Sequence, residues 1–477
     1  MYNKEKSKWS EDELKKLFSR GARAQHPMTE GPIWKGLIYF AIPIFIGNLF
    51  QQLYNAADTL IVGNFLGKEA LAAVSSSGNL IFMMVGFLQG MAMGAGVLIA
   101  KHYGAKDYKR MRTAIHTDIA FALIAGLFLT VAGVLVTPTI LRWMGTPENV
   151  LPNSIAYFRT YFLGSLASFL YNVCTGILQA VGNSRYPLYC LMVSSVVNVV
   201  LDILFVSVFD WGVASAAAAT VIAQVISASL CAVKLLTTKE VYRVSISQIR
   251  LEIPVLRQIV NLGLPSGVQN SVIAFANVLV QANINAFGDG AMAGCGSYSK
   301  LEGFAFLPVT CFSMALSTFV SQNLGAKQHD RVKKGAKIGI ACSVCVAELV
   351  GILFWIFAPT LIGLFNDDPS VVSFGVTEAR VISLFYCLLA LNHCMAGILR
   401  GAGKAMVPMT VMLASWCLLR VTYITVMVEV FQRIEVIFTA YPVTWTVSAI
   451  IFLIYYCKAD WLHHFDRLES RAGNNKT

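Results

Sequence analysis

The chain has 477 residues, of which 56% are hydrophobic and only 13% are charged, about half the charged fraction of a typical soluble domain. The length would allow roughly three soluble domains, but there is too little charge to coat even one, so the composition specifies a polytopic membrane protein. A formal net charge of +11 would point to nucleic acid in a soluble chain; here the placement of the basic residues encodes orientation instead and excludes that partner.

Residues 1–35 are a polar tail with a short amphipathic patch, Glu11-Asp12-Glu13 followed by Lys15-Lys16. No cleavable signal sequence is expected there, so the first apolar segment serves as an uncleaved insertion signal. Apolar stretches able to cross about 30 Å of hydrocarbon follow at 36–62, 70–99, 114–137, 153–182, 187–208 and 213–236. Six more lie at 258–284, 292–321, 338–358, 372–400, 408–430 and 438–457. Runs of this length are helices, since a barrel shows short alternating strands, and the longest are expected to tilt or kink. The expected fold is an all-α polytopic membrane protein of twelve transmembrane helices.

The twelve spans form two copies. At a separation of 222 positions Pro43 matches Pro265, Asn48 matches Asn270 and Asn55 matches Asn277. With one residue dropped, the register of 221 pairs Gly104-Ala105-Lys106 with Gly325-Ala326-Lys327, and Arg110 with Arg331. It also pairs Pro138-Thr139 with Pro359-Thr360, Gly176-Ile177-Leu178 with Gly397-Ile398-Leu399, Gly182 with Gly403 and Pro187 with Pro408. Six spans per copy leave both copies in the same orientation, which implies a pseudo-two-fold axis along the membrane normal, a standard layout of secondary transporters. The expected organisation is a tail at 1–35, an N-lobe at 36–236, a linker at 237–257, a C-lobe at 258–457 and a tail at 458–477.

Thirty of the 37 Lys and Arg residues fall in the tails and loops of one side, against Lys68, Arg142 and Arg433 on the other. Arg159, Lys300, Arg380 and Arg420 lie within apolar segments. This positive-inside pattern places both termini in the cytoplasm. The eleven cysteines read as packing residues; Cys342 and Cys345 form a C-x-x-C without a second pair or a nearby histidine, so no metal centre is expected. Gly401-Ala402-Gly403-Lys404 lacks the spacing and following hydroxyl of a phosphate-binding loop. Gly86, Gly90, Gly94 and Gly96 read as close helix packing.

Polar residues at membrane depth are costly and therefore informative; an Asp at a helix centre costs roughly 2.5–3.5 kcal/mol on insertion scales. The first span carries Asn48, Gln51, Gln52, Asn55, Asp58 and Thr59, with 48, 51, 55 and 58 on one face, and Pro43 is a candidate kink. Asn198 and Asp202 share a face of the fifth span at i, i+4, with Thr220 on the sixth and Tyr157 opening the fourth. Interhelical hydrogen bonding is the plain explanation of such a set. The functional one is a site for a proton or Na+, since carboxylate, amide and hydroxyl oxygens are hard ligands. The Na+ reading rests on Asp58, Asn198, Asp202 and Thr220.

The second copy departs from the first, with Val280 at the position of Asp58 and Tyr423 at that of Asp202. Asn270, Asn277 and Gln281 keep the amide stripe and are expected to line a substrate cavity with Gln51, Gln52 and Asn55, and Glu302 and Arg420 are expected either to pair or to line it too. Arg159 and Arg380 are expected to snorkel to the interface, His393 to be packed and hydrogen-bonded, and Glu348 has no evident partner.

Together these residues resemble the multidrug and toxic compound extrusion (MATE) family. The resemblance rests on Met28-Thr29-Glu30-Gly31-Pro32-Ile33-Trp34, the run from Pro43 through Asp58 to Val62-Gly63, and Gly67 followed by Ala70-Leu71-Ala72-Ala73-Val74. The duplicated Gly-Ala-Lys loops and the Gly-Ile-Leu before Gly182 and Gly403 extend it over residues 28–457. The pattern is most similar to the bacterial DinF-like branch. The resemblance implies a two-lobed antiporter of the bacterial inner membrane, with an N-lobe cation site matched here by Asp58, Asn198, Asp202, Thr220 and Tyr157. The acidic C-lobe site of the NorM-like branch is not matched, since Gln269 and Asn270 stand near its seventh-helix Glu and the tenth span lacks its Asp.

The function expected is H+- or Na+-coupled export of amphipathic, often cationic, organic compounds by alternating access. The protein would need no other cofactor, contact membrane lipid and work as a monomer. A lipid-linked saccharide flippase of the same superfamily is the first rival, requiring a cationic cavity. A membrane enzyme or receptor would need a catalytic cluster or an extramembrane domain, and the sequence shows neither.

Overall fold

The computed structural model describes residues 28–209 and 211–467; the amphipathic patch at 11–16 and the residues after 467 lie outside them. The N-lobe consists of α1 (Ile33–Phe65), α2 (Gly67–Gly104), α3 (Tyr108–Trp143), the pair α4 (Leu151–Leu163) and α5 (Ser165–Ala180), α6 (Arg185–Asp202) and α7 (Val213–Thr237). The C-lobe consists of α8 (Ile253–Asn285), α9 (Asp289–Gly325), α10 (His329–Gly363), the pair α11 (Pro369–Ile382) and α12 (Tyr386–Gly401), α13 (Met406–Met412), α14 (Arg420–Phe431) and α15 (Glu435–Lys458). Taking each interrupted helix as one span gives twelve, six per lobe. No strand occurs among the described residues. The linker is shorter than expected, because α8 begins at Ile253, inside the segment assigned to it.

Eleven of these spans are long and apolar enough to cross a membrane when the bent α4–α5 pair is counted as one. The twelfth, α8, has 33 residues, but Gln269, Asn270, Asn277 and Gln281 dilute its hydropathy. Elsewhere the apolar faces point outward as well as inward. On α3, Ile124, Leu127, Phe128, Val131 and Leu135 are exposed at helical spacing, while Ala114, Ala122, Gly126 and Gly133 are buried. A helix apolar all round with its small residues inward is suited to lipid outside and close packing inside.

The repeat reappears as backbone geometry. Span four bends by 43° at the single residue between α4 and α5, and span ten breaks at the equivalent place, a 3-10 turn over Ser383–Phe385. Gly182 and Gly403 adopt left-handed φ values of 89° and 80°, which glycine accepts without steric cost. Pro43, the candidate kink point, and its equivalent Pro265 both lie inside helices that run on beyond them, to Phe65 and Asn285.

Each lobe has its own apolar core, and the first turns of α1 (Leu37, Phe40, Ala41, Ile44) pack into that of the C-lobe. The lobes meet most closely along α2 and α8. A Cβ on Gly90 would strike the backbone of Gly267, and one on Gly94 that of Gly263. The close packing expected for this glycine series is therefore between lobes at Gly86, Gly90 and Gly94, while Gly96 packs on Gly176 of α5 within the N-lobe.

Nearer the chain ends, a Cβ on Gly104 would meet the backbone of Gln322 and one on Gly325 that of Lys101. Lys101 and Gln322 are repeat equivalents, so the pseudo-two-fold axis passes through this contact. Gln322 also donates to the Ala180 carbonyl (2.7 Å) and Ser321 to that of Val97 (2.6 Å). Both ends of the described segment reinforce the closure. The Met28 amide donates to Gln322 Oε1 (3.0 Å) and Arg331 to the Glu30 carbonyl (2.9 Å). The buried Phe465 ring lies 4.4 Å from Lys101 Nζ across the seam.

Candidate functional site

A cavity of about 490 Å³ lies within the N-lobe, walled by α1, α2, the α4–α5 pair, α6 and α7, with Met314, Ser317 and Thr318 of α9 closing one side. The wet stripe of α1 lines it: Asn48, Gln51, Gln52, Asn55, Asp58 and Thr59. Tyr157, Asn198 and Thr220 line it as well, so four of the five expected cation-site residues face one space. Pro43, on α1, lines it too.

Asp202 stands behind that wall with no exposed surface. It ends the last regular turn of α6, where the helix widens into a π-helical segment over Ile203–Val208. Such widenings interrupt the regular ladder and recur at functional sites. Asn198, one turn earlier and 1% exposed, donates from Nδ2 to Thr220 Oγ1 (3.4 Å), and Thr220 donates to the Ala216 carbonyl (3.2 Å). Neither oxygen of Asp202, nor Asn198 Oδ1, nor Asp58 Oδ1 has a hydrogen-bond partner, and all four atoms are buried. Buried acceptors without donors are destabilising, and a set concentrated at one place fits a proton or an alkali cation that would complete it. Asp58 and Asp202 are also within electrostatic range of each other.

The remaining expected cavity residues do not reach this space. Asn270 donates to the Gly86 carbonyl (3.0 Å), and Ser271 to that of Met83 (3.2 Å), so the amide binds the two lobes together. Asn277 is exposed, and Gln281 turns along its own helix to Asn285 (2.9 Å). Glu302 and Arg420 stay in the C-lobe and form no ion pair among the described residues. Arg420, 2% exposed, donates to Thr444 Oγ1 (3.1 Å) and stacks 4.3 Å from Tyr441 and 5.5 Å from Trp416. Those aromatic partners hold the guanidinium where it is.

His393 is packed between Phe306 and Trp416, but its Nε2 is unpartnered, so the expected ring hydrogen bond is absent at that atom. Glu348 has a partner after all: Oε2 accepts from the Cys387 amide (3.0 Å) at the break in span ten. Arg400, counted from sequence among the surface charges, is 6% exposed and donates to Ser313 Oγ (3.2 Å). Arg159 and Arg380 are exposed, Arg159 donating to the Val134 carbonyl (3.2 Å) and Arg380 lying over the Trp355 ring. All eleven cysteines are free.

Sequence reasoning also missed cavity residues. Tyr54, Tyr161, Asn172, Thr175 and Gln224 all line the space, and Gln224 donates to Tyr161 OH (3.5 Å). Tyr54 lies three residues after Gln51 on the wet stripe, a usable signal; the others needed the lobe's packing.

The family model described as MatE matches residues 43–204 and 265–426. Its two segments begin at Pro43 and Pro265, the pair that opens the internal repeat. This chain belongs to the MatE family. Among MatE relatives, "Probable multidrug resistance protein YoeA" of Bacillus subtilis (strain 168) is 27% identical over 433 residues, 89% of this chain and 93% of the relative. "Probable multidrug resistance protein NorM" of Thermotoga maritima is 26% identical, covering 85% of this chain and 88% of the relative. A solved outward-facing multidrug resistance MATE transporter of the MOP superfamily superposes with a TM-score of 0.86 at 21% identity, over 91% of this chain and 98% of that one. A MOP-superfamily transporter of Pyrococcus furiosus, described as having reversed binding-pocket polarity, gives 0.85 at 20% identity, over 91% and 97%. The chain thus shares the fold of these neighbours over both of its lobes.

Proposed function

We propose that this MatE protein is an antiporter that exports amphipathic, often cationic, organic compounds in exchange for H+ or Na+. Both termini face the cytoplasm, and the seam through Gly104 and Gly325 is the cytoplasmic gate. The observation that carries this reading is the set of four buried, donor-free oxygens on Asp58, Asn198 and Asp202 beside the cavity. A cation arriving from outside neutralises the carboxylates and favours one packing of α1 against α6 and α7. An organic cation held by the tyrosines and amides of the cavity favours the other. Coupling requires only that the two ligands prefer opposite states.

The lining among the described residues contains no Lys, Arg or His. That absence argues against a flippase for phosphate-linked saccharides, which would need cationic groups there.

Proteoliposomes loaded with a fluorescent organic cation, given proton and sodium gradients separately, test the reading. One gradient is expected to drive transport, and Asp58→Asn and Asp202→Asn are each expected to abolish that drive. Undiminished gradient-driven efflux in both variants would overturn the N-lobe assignment.

A further inference from the structure

A second cavity, of about 540 Å³, lies outside the lobe interior, between the first turns of α3 and the linker joining the lobes. Asp107 caps α3, accepting from the Arg110 amide (3.1 Å), and the helix then sets Lys109, Arg112 and His116 along one face at i, i+3 and i+7. The linker folds back over that face. Arg112 Nε donates to the Val241 carbonyl (2.9 Å), and the Ser245 amide donates to His116 Nε2 (3.0 Å). His116 Nδ1 lies 2.7 Å from the Arg112 carbonyl, so both ring nitrogens have partners and the histidine is a structural pin.

The chemistry of the lining is uneven. Lys109 and Arg112 are exposed at the rim, and Arg112 has its terminal nitrogens free of partners among the described residues. Arg250 also lines the space, but Glu252 already holds it at 2.6 Å. Thr117 lines the cavity too, with no exposed surface and an Oγ1 that has no hydrogen-bond partner. Lys109 and the free end of the Arg112 guanidinium, above a buried, unanswered hydroxyl, form a receptacle for an anion with several acceptor oxygens. The depth is equally informative. The apolar run of α3 begins near Ala114, so the cavity lies where the helix leaves the hydrocarbon, at the level of lipid headgroups.

We propose that this cavity binds a phosphate-bearing anion, its oxygens accepting from Lys109, Arg112 and the Thr117 hydroxyl. Anionic phospholipid headgroups and free phosphate share that chemistry. Because one wall is the inter-lobe linker, an occupant fastens the linker to α3 and strengthens the attachment between lobes at the chain-end side. The site is independent of Asp58 and Asp202, and its test does not depend on transport.

The full-length protein in zwitterionic phosphatidylcholine nanodiscs provides the reference melting temperature. Replacing part of the lipid with phosphatidylglycerol, or adding inorganic phosphate instead, gives the two arms. The expected result is an upward shift in Tm that Lys109→Gln with Arg112→Gln abolishes and Thr117→Val reduces. The control pair Lys333→Gln with Lys334→Gln, exposed charges at the start of α10, should retain the shift. A shift with phosphatidylglycerol alone assigns the headgroup, and one with phosphate as well assigns the free anion. Thr117→Val guards against misfolding, because it keeps the side-chain shape and removes only the hydroxyl. Failure of both anions to shift Tm, or equal losses in the control and cavity variants, would overturn the proposal.

Discussion

Asp202 is the residue on which the site's energetics turn. Its carboxylate has no surface exposure and no donor at either oxygen, a condition that costs several kcal/mol when the group is ionised. The neighbouring amide offers only partial relief: one Asn198 Nδ2 hydrogen goes to Thr220 Oγ1, and the other is near enough to ease the Asp202 charge without completing a hydrogen bond. Under the proposed coupling, a residue kept in such an environment is stabilised by the cation it binds. Asp202→Asn is therefore expected to raise the Tm of the cation-free protein while removing the further rise that the coupling cation gives the native chain. Thermal unfolding with and without the cation checks both halves, and a variant still stabilised by cation as strongly as the parent would contradict it. This is the familiar exchange of function for stability at a strained site. Asp58 and the i, i+4 pair Asn198/Asp202 were legible in the sequence because charge is so rare at membrane depth. The π-helical widening after Asp202 was not legible, since Ile203–Val208 is an ordinary apolar run.

At the scale of single elements, the two broken spans show how similar sequences reach related shapes by different means. Span four bends at Gly164, whose missing side chain leaves room for Val221 and Gln224. Span ten breaks at Ser383–Phe385 and satisfies the backbone there with a carboxylate, Glu348 Oε2 on the Cys387 amide. Leaving one buried donor unpaired costs about 1–3 kcal/mol. Glu348→Ala is expected to destabilise the fold by an amount in that range, read as a lower Tm, and Glu348→Gln, which keeps an acceptor oxygen, to recover most of it. Comparing the two melting curves separates loss of the hydrogen bond from loss of the charge; equal destabilisation by both would assign the effect to charge. The existence of each span could be read from its apolar length, but the breaks could not. No glycine or proline marks residues 383–385, and Glu348 lies 39 positions from the amide it caps. The amides of α8 misled for a related reason. Asn270 shares the periodicity of Asn48, but it faces the Gly86 carbonyl of the other lobe, and a repeat cannot report which neighbour a face meets.

For the whole molecule, the glycine seam between α2 and α8 sets the geometry of opening. Gly90 and Gly94 lie against Gly267 and Gly263 with no space for a side chain, and the seam continues to Gly104 and Gly325. Gly94→Leu should hold the lobes apart at this side and shift the population toward the opposite conformer. Hydrogen exchange is expected to quicken in residues 91–104 and 320–326. Exchange unchanged from the parent in both segments would show that the seam accommodates the bulk elsewhere. The two-lobe plan itself was fully legible, because the repeat register and the even span count fix orientation without knowledge of packing. The asymmetry of the contacts was not, since it depends on which lobe supplies each wall.

The reciprocal contact of Gly104 with Gln322 and Gly325 with Lys101 has the form of a dimer interface: each patch meets the other's counterpart across an axis. Two identical six-span subunits joined in this way would be compelled to carry every buried acid twice. Covalent linkage removes that obligation. One half can hold Asp58 and Asp202 while the other has Val280 and Tyr423 in their places, and the unequal halves still dock as though they were the same molecule.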